Sequence, residues 1–185
     1  MVTKLRAEFL NINTPPHIFT LIVLSGLGAL SLSIFLSSIL EMSVFFNKSY
    51  ALMQLSISLY LITTAFFQII AGPLSDKFGR RIITLFSIII FIIASLGCFF
   101  STKFEFFIFF RLLQASIAAG FLMSRVIIRD ITSENEAASM IGYVTMGMSI
   151  IPLFAPGLGG LIQMLLGWPS TVSYTHLTLP TSFLV

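Results

Sequence analysis

Residues 72–81 read GPLSDKFGRR, which places Asp76, Lys77, Arg80 and Arg81 in one short gap between two long apolar runs. The chain around them is 57% hydrophobic and 9% charged, whereas soluble domains carry about 25% charged residues. So thin a polar shell cannot cover a core in water, and lipid is the solvent for most of these side chains. In hydrocarbon a helix satisfies its own backbone, so the composition implies an all-α integral membrane bundle.

Crossing about 30 Å of hydrocarbon takes roughly 20 apolar residues. Five runs meet that length, at 18–40, 51–71, 82–101, 106–128 and 139–166. The joints between them are too brief for crossovers, so sequential spans run antiparallel as neighbours. Lys4, Arg6, Lys77, Arg80, Arg81, Arg125 and Arg129 fall at the N-terminus and in alternate joints, against Lys48 and Lys103 on the other side. Basic residues prefer the cytoplasmic side, which makes residues 1–17 a cytoplasmic segment and sets Trp168 as an interfacial anchor outside. No small-residue cleavage site follows the polar start, so the first run is an uncleaved span.

Composition also excludes much chemistry. Cys98 is the single cysteine and sits in an apolar run, so no intramolecular disulfide or redox pair can form. His17 and His176 are far apart, and no His, Cys, Asp or Glu cluster has metal-ligand spacing. The expectation is no cofactor, no metal and no enzymatic nucleophile with its base. The positive charge is scattered over loops, which gives nucleic-acid binding no support. The lipid bilayer is the partner expected.

Several spans carry small and polar stripes. Gln54, Ser58, Leu61, Ala65, Gln68 and Gly72 recur at steps of three and four in the second span, as do Gly26, Ala29, Ser33 and Ser37 in the first. Such faces either pack closely on neighbouring helices or line a wet path; several together favour a bundle with an interior path. Arg111 begins about five residues into its span, roughly 7–8 Å deep at 1.5 Å per residue. It either snorkels to headgroups or stands as an interior cation. Arg111, Ala115, Ala118, Leu122 and Arg125 share one face, which supports the interior position. In IIPLFAPGLGG, residues 150–160, Pro152 and Pro156 each remove a helical donor, while Gly157, Gly159 and Gly160 let another backbone approach. Such a span can serve as a gate or hinge; the plainer reading is that Pro and Gly are commoner in membrane helices.

The charges of GPLSDKFGRR need a holder, because Asp76 ends one span and Arg80 and Arg81 begin the next, each with the sign its helix dipole disfavours. An Asp76–Arg80 pair one turn apart is the local answer. The whole pattern resembles the loop signature of the major facilitator superfamily, G-x-x-x-D-[KR]-x-G-R-[KR], matched at Gly72, Asp76, Lys77, Gly79, Arg80 and Arg81. Arg111 and Gln114 resemble the R-x-x-Q-G motif of these carriers, with Ala115 in place of glycine. Pro156, Gly159 and Gly160 resemble the exporter motif G-P-x-x-G-G, with Ala155 replacing its first glycine.

Across residues 15–168 the arrangement is similar to the N-terminal half of the Bcr/CflA drug-resistance subfamily, and R-D-I at Arg129–Ile131 is typical of that group. The subfamily's first span usually carries D-x-[YF]-L-P-x-L-P; here the stretch is SIFLSSIL, with Ser33 at the acid and Ser37 and Leu40 at the prolines. The resemblance implies a secondary-active carrier of the bacterial inner membrane that exports small molecules or drugs by alternating access, so a small-molecule substrate is a partner it implies. It implies proton antiport in the intact protein, resting on residues outside this chain. A conformational-gating loop at Gly72–Arg81 and a substrate or proton path at Arg111, Gln114, Ser33, Gln54 and Gln68 follow from it. So does a helix-bend motif at Pro152, Pro156, Gly159 and Gly160. Such carriers have two six-helix halves, so this chain reads as a truncated first half whose partner is the missing C-terminal half, and as inactive alone. Asp76 would face a helix N-terminus of that second half, and Arg80 an acidic partner. Residues 169–185 are too polar to cross, and SYTHLTLPTS resembles sequencing-adapter read-through, so a non-native tail is expected. The rival reading is a non-transporting membrane assembly or scaffold protein.

Overall fold

The computed structural model describes residues 16–166. Six α-helices account for nearly all of them: α1 (Ile18–Phe45), α2 (Tyr50–Phe78), α3 (Arg80–Phe100), α4 (Phe104–Gln114), α5 (Ala118–Ile131) and α6 (Glu134–Leu166). A single 3₁₀ turn, Ala115–Ile117, joins α4 to α5, so those two form one long rod. Five helical rods are therefore long and apolar enough to cross a membrane. The 169–185 tail, Trp168 and His176 lie outside the described residues.

The helices outrun the apolar runs that announced them. α2 continues seven residues past residue 71, through Pro73 and the charged pair Asp76 and Lys77, and stops at Phe78. The expected loop at 72–81 is thus a helix end, a one-residue break at Gly79, and the next helix start. Gly79 has φ +93°, the left-handed region that favours glycine, and its N–H closes on Ser75 O at 2.9 Å. Helical hydrogen bonding does not need hydrocarbon around it, so apolarity marks where a rod enters lipid and not where it ends. Side-chain caps help set the starts. The Ser49 Oγ accepts from Leu52 N–H at 3.4 Å before α2, and the His17 Nδ1 accepts from Phe19 N–H at 3.2 Å before α1.

α1 and the α4–α5 rod form the middle of the bundle. At one end Phe35, Ile39 and Met42 of α1, with Phe46 just past its end, meet Met53, Cys98 and Phe107. Midway, Leu24 and Leu27 pack with Ile88, Phe91 and Ile117, and at the other end Leu21 meets Ile128, Ala137 and Val144. Large apolar side chains face outward along every rod, among them Val44, Ile69, Ile93, Phe109 and Leu153. No water-soluble protein sustains such a surface, so hydrocarbon is its solvent. Association of the rods then rests on close packing and interhelical hydrogen bonds.

Small residues supply that closeness between α1 and α6. A Cβ added at Gly26 would lie 2.0 Å from Ile151 Cδ1, and one added at Gly159 would lie 2.5 Å from Ser37 Oγ and 3.4 Å from the Ile34 Cα. The first-span stripe of Gly26, Ser33 and Ser37 is therefore largely a packing face. Gly72, Gly157 and Gly160 behave otherwise: an added Cβ would meet nothing within 4 Å. The close approach expected at those three is absent within the described residues, because they sit on flanks of α2 and α6 that no other described helix covers. The same holds for Gln54, Ser58, Leu61 and Ala65, all exposed, whereas Gln68 is half-buried. The second-span stripe does not line the interior of this bundle.

Candidate functional site

Two clusters gather the polar chemistry. The first surrounds Arg111, whose side chain is 3% exposed. An ion so buried carries a desolvation penalty of several kcal/mol unless hydrogen bonds and neighbouring groups offset it. The Arg111 Nη1 donates to Ser31 Oγ on α1 at 3.1 Å and to Gln114 Oε1, one turn along α4, at 2.6 Å. The guanidinium carbon stands 4.3 Å from the ring centroid of Phe35 and 4.5 Å from that of Tyr60. Desolvated cation–π contacts of this kind contribute about 2 kcal/mol.

The line continues across the bundle. Gln114 Nε2 donates to Ser95 Oγ on α3 at 2.7 Å, and Ser95 Oγ donates to Phe91 O at 2.8 Å. Four rods thus meet at one polar chain: Ser31 and Phe35 from α1, Tyr60 from α2, Ser95 from α3, Arg111 and Gln114 from α4. Two donors of Arg111, Nε and Nη2, have no partner, and neither has Thr64 Oγ1 on α2. The acids Glu41, Asp76, Glu105, Asp130, Glu134 and Glu136 are all exposed at helix ends, so among the described residues no carboxylate neutralises Arg111.

Geometry explains why this chain of residues assembles. Ser31 and Phe35 are four apart on α1 and Arg111 and Gln114 three apart on α4, so each pair projects from one helix face. The 3₁₀ turn after Gln114 tightens the rod where Ala115, Ser116 and Ile117 are fully enclosed, and Ser116 Oγ donates to Ser87 O of α3 at 3.1 Å. Past that turn the face holding Arg111 becomes less buried: Ala118 is enclosed, Leu122 and Arg125 are half-buried, and Arg125 lies over the Phe121 ring at 4.2 Å.

The second cluster stands at one end of the bundle. Arg80, the first residue of α3, donates through Nη1 to Ser75 Oγ and Asp76 Oδ1 at the end of α2, and through Nε to Asp130 Oδ2 at the end of α5, 3.2 Å away. Ser75 Oγ in turn donates a hydrogen bond to Gly72 O at 2.7 Å. Both carboxylates lie at helix C-termini, where the local dipole disfavours them, and the guanidinium supplies the compensating charge. The acidic partner expected for Arg80 in a second half is present in this chain, as Asp130. Lys77 lies over the Phe78 ring at 5.3 Å, and Arg81 is exposed.

The structure joins Arg80 with Asp76, as their spacing suggested, and bonds Arg111 to Gln114, which the sequence marked only as members of one motif. Ser33 is buried, but Ser31 is the α1 hydroxyl that meets Arg111; Gln54 and Gln68 stand apart from this network on α2. Pro152 and Pro156 lie inside α6, which runs through both without a break, and only Gly159 of its motif glycines meets α1 closely. Ser31, Phe35, Tyr60, Ser95 and Asp130 were not singled out from the sequence. The Arg129–Asp130 pair at the end of the fourth span was the available signal for one of them.

Comparison with known proteins agrees with this arrangement. Residues 18–178 match the Major Facilitator Superfamily. The chain is 34% identical over 148 residues to the MFS-type transporter YdgK of Bacillus subtilis (strain 168), covering 80% of this chain and 37% of that protein. It is 30% identical over 153 residues to the chloramphenicol resistance protein of Pseudomonas aeruginosa, covering 82% and 36%, and 28% identical over 149 residues to multidrug resistance protein D of Escherichia coli (strain K12), covering 80% and 38%. The chain thus spans between a third and two fifths of the length of these relatives. Five membrane-length rods, a charged hinge at Gly79 and a family match over most of the sequence lead to one conclusion: the chain belongs to the Major Facilitator Superfamily.

Proposed function

We propose that this chain forms the first part of a secondary-active carrier that exports small organic molecules across a bacterial inner membrane by alternating access. The observation that carries the proposal is the Arg111–Gln114–Ser95 line, a polar chain placed at the meeting point of four rods where close packing alone would favour apolar groups. Relatives named for chloramphenicol and multidrug resistance support an efflux role. Assignment to the Bcr/CflA subfamily rests on the R-D-I stretch at Arg129–Ile131 and the A-P-x-x-G-G stretch at residues 155–160.

In this reading the N-terminus is cytoplasmic and the Arg80 cluster lies on the cytoplasmic side, where Lys77, Arg81, Arg125 and Arg129 also gather. The uncovered flanks of α2 and α6 receive a C-terminal half, which supplies the second wall of the path. Asp76, 67% exposed, remains available to a helix N-terminus of that half. Proton coupling uses carboxylates outside this chain, since Ser33 occupies the first-span position of the acid. The test is efflux of a fluorescent drug from cells expressing the complete gene, with the 185-residue chain as control. Drug loss faster than from the control supports the proposal; equal retention in both contradicts it.

A further inference from the structure

We propose that the free edge of Arg111 is a binding site for a carboxylate carried by the transported molecule. The inference rests on the carrier reading for what the carboxylate belongs to, and on geometry for the site itself. A guanidinium offers five N–H donors in a rigid fork. Here Nη1 is fully used, bonded to Ser31 and Gln114, while Nε and Nη2 are buried and unpartnered. These two nitrogens are the pair that point along one common edge of the guanidinium, the edge that takes both oxygens of a carboxylate in two parallel hydrogen bonds. The two unpartnered nitrogens thus present one N–H each along a common edge and are not two unrelated vacancies.

Charge makes the same demand. A cation 3% exposed, with neutral hydrogen-bond partners and the acids Glu41, Asp76, Glu105, Asp130, Glu134 and Glu136 all out at helix ends, has no opposite charge beside it among the described residues. An anion arriving at the fork would supply it and accept one N–H from each of the two nitrogens in the same step. The surroundings select what kind of anion. Phe35 and Tyr60 flank the guanidinium, so an aromatic acid gains ring contacts that a bare acetate does not. Thr64, one turn beyond Tyr60 on α2, carries a buried hydroxyl beside the Tyr60 side chain and can turn to donate a third hydrogen bond.

The test is an equilibrium titration of the 185-residue chain in detergent micelles, labelled with 15N-arginine and read at the Arg Nε–H resonances. Arg111→Lys identifies the Arg111 signal by its loss and keeps the charge while removing the fork. Sodium benzoate should move that signal saturably, benzamide, its neutral isostere, should not, and acetate, a stand-in for an Asp side chain, should bind up to about tenfold more weakly than benzoate. Thr64→Val should weaken benzoate binding while the other arginine signals stay in place. No saturable shift with benzoate, or an equal response to benzamide, overturns the proposal. Acetate binding as tightly as benzoate also overturns it, by making the fork a partner for an acidic side chain of the carrier itself. The measurement needs no transport: benzoate binding without drug export from the complete carrier would overturn the carrier reading alone, and export without benzoate binding would overturn the carboxylate site alone.

Discussion

The Nε of Arg80 lies 3.2 Å from Oδ2 of Asp130, so one guanidinium ties the start of α3 to the end of α5 while its Nη1 holds Asp76 at the end of α2. Three helix termini are fastened at a single point beside the only left-handed glycine among the described residues, Gly79. The helix break at Gly79 and the charged contacts around Arg80 can be removed one at a time.

Arg80→Gln and Asp130→Asn should each lower the unfolding free energy in detergent modestly, because Asp130 is 52% exposed and the pair is partly screened. A double-mutant cycle on reversible denaturation is expected to give a coupling of about 0.5–1 kcal/mol that shrinks with added salt. Zero coupling at low salt would remove the Arg80–Asp130 contact from the account.

Asp76→Asn should act differently. Arg80 keeps Asp130 and Ser75, so the bundle end persists, but the exposed charge offered to the second half is lost. In the complete carrier the resting population is expected to move toward inward-open, read as longer distances between spin labels on the cytoplasmic ends of the two halves. An unchanged distance distribution would count against this role.

Gly159 and Gly160 make a matched pair on α6. Gly159→Ala drives a Cβ to 2.5 Å from Ser37 Oγ and 3.4 Å from the backbone of Ile34, and should destabilise the chain by about 1–3 kcal/mol. Gly160→Ala meets nothing within 4 Å and should stabilise by up to about 1 kcal/mol through helix propensity. Thermal unfolding of the two variants in the same detergent checks the sign of each.

Apolar length was enough to place the five rods, because hydrocarbon thickness is a hard physical ruler. It could not place their ends: Ser75, Asp76 and Lys77 continue α2 because Pro73 removes one rung without ending the helix, which stops only before Gly79. Nor could it reveal the 3₁₀ turn at Ala115–Ile117, whose three residues carry no glycine or proline and answer to packing from α3. In the site, Asp76–Arg80 was legible because the pair lies one turn apart across a short break, whereas Arg111 and Gln114 were legible as members of a motif and not as a contact. Ser31, Tyr60 and Ser95 reach Arg111 or Gln114 from other rods, and Asp130 reaches Arg80 from fifty positions away. Such contacts depend on the rotation of one rod against another, which no periodicity within a single span determines. The α2 stripe illustrates the converse, since its period is helical but its exposed residues face away from the network.

The central claim is that the buried Arg111 network serves transport and not only packing, and the most direct measurement is export by the complete carrier with Arg111→Ala, at matched abundance in the membrane. The account expects insertion and amount unchanged and drug efflux reduced to the level of cells without the carrier. Full efflux by the variant would contradict it.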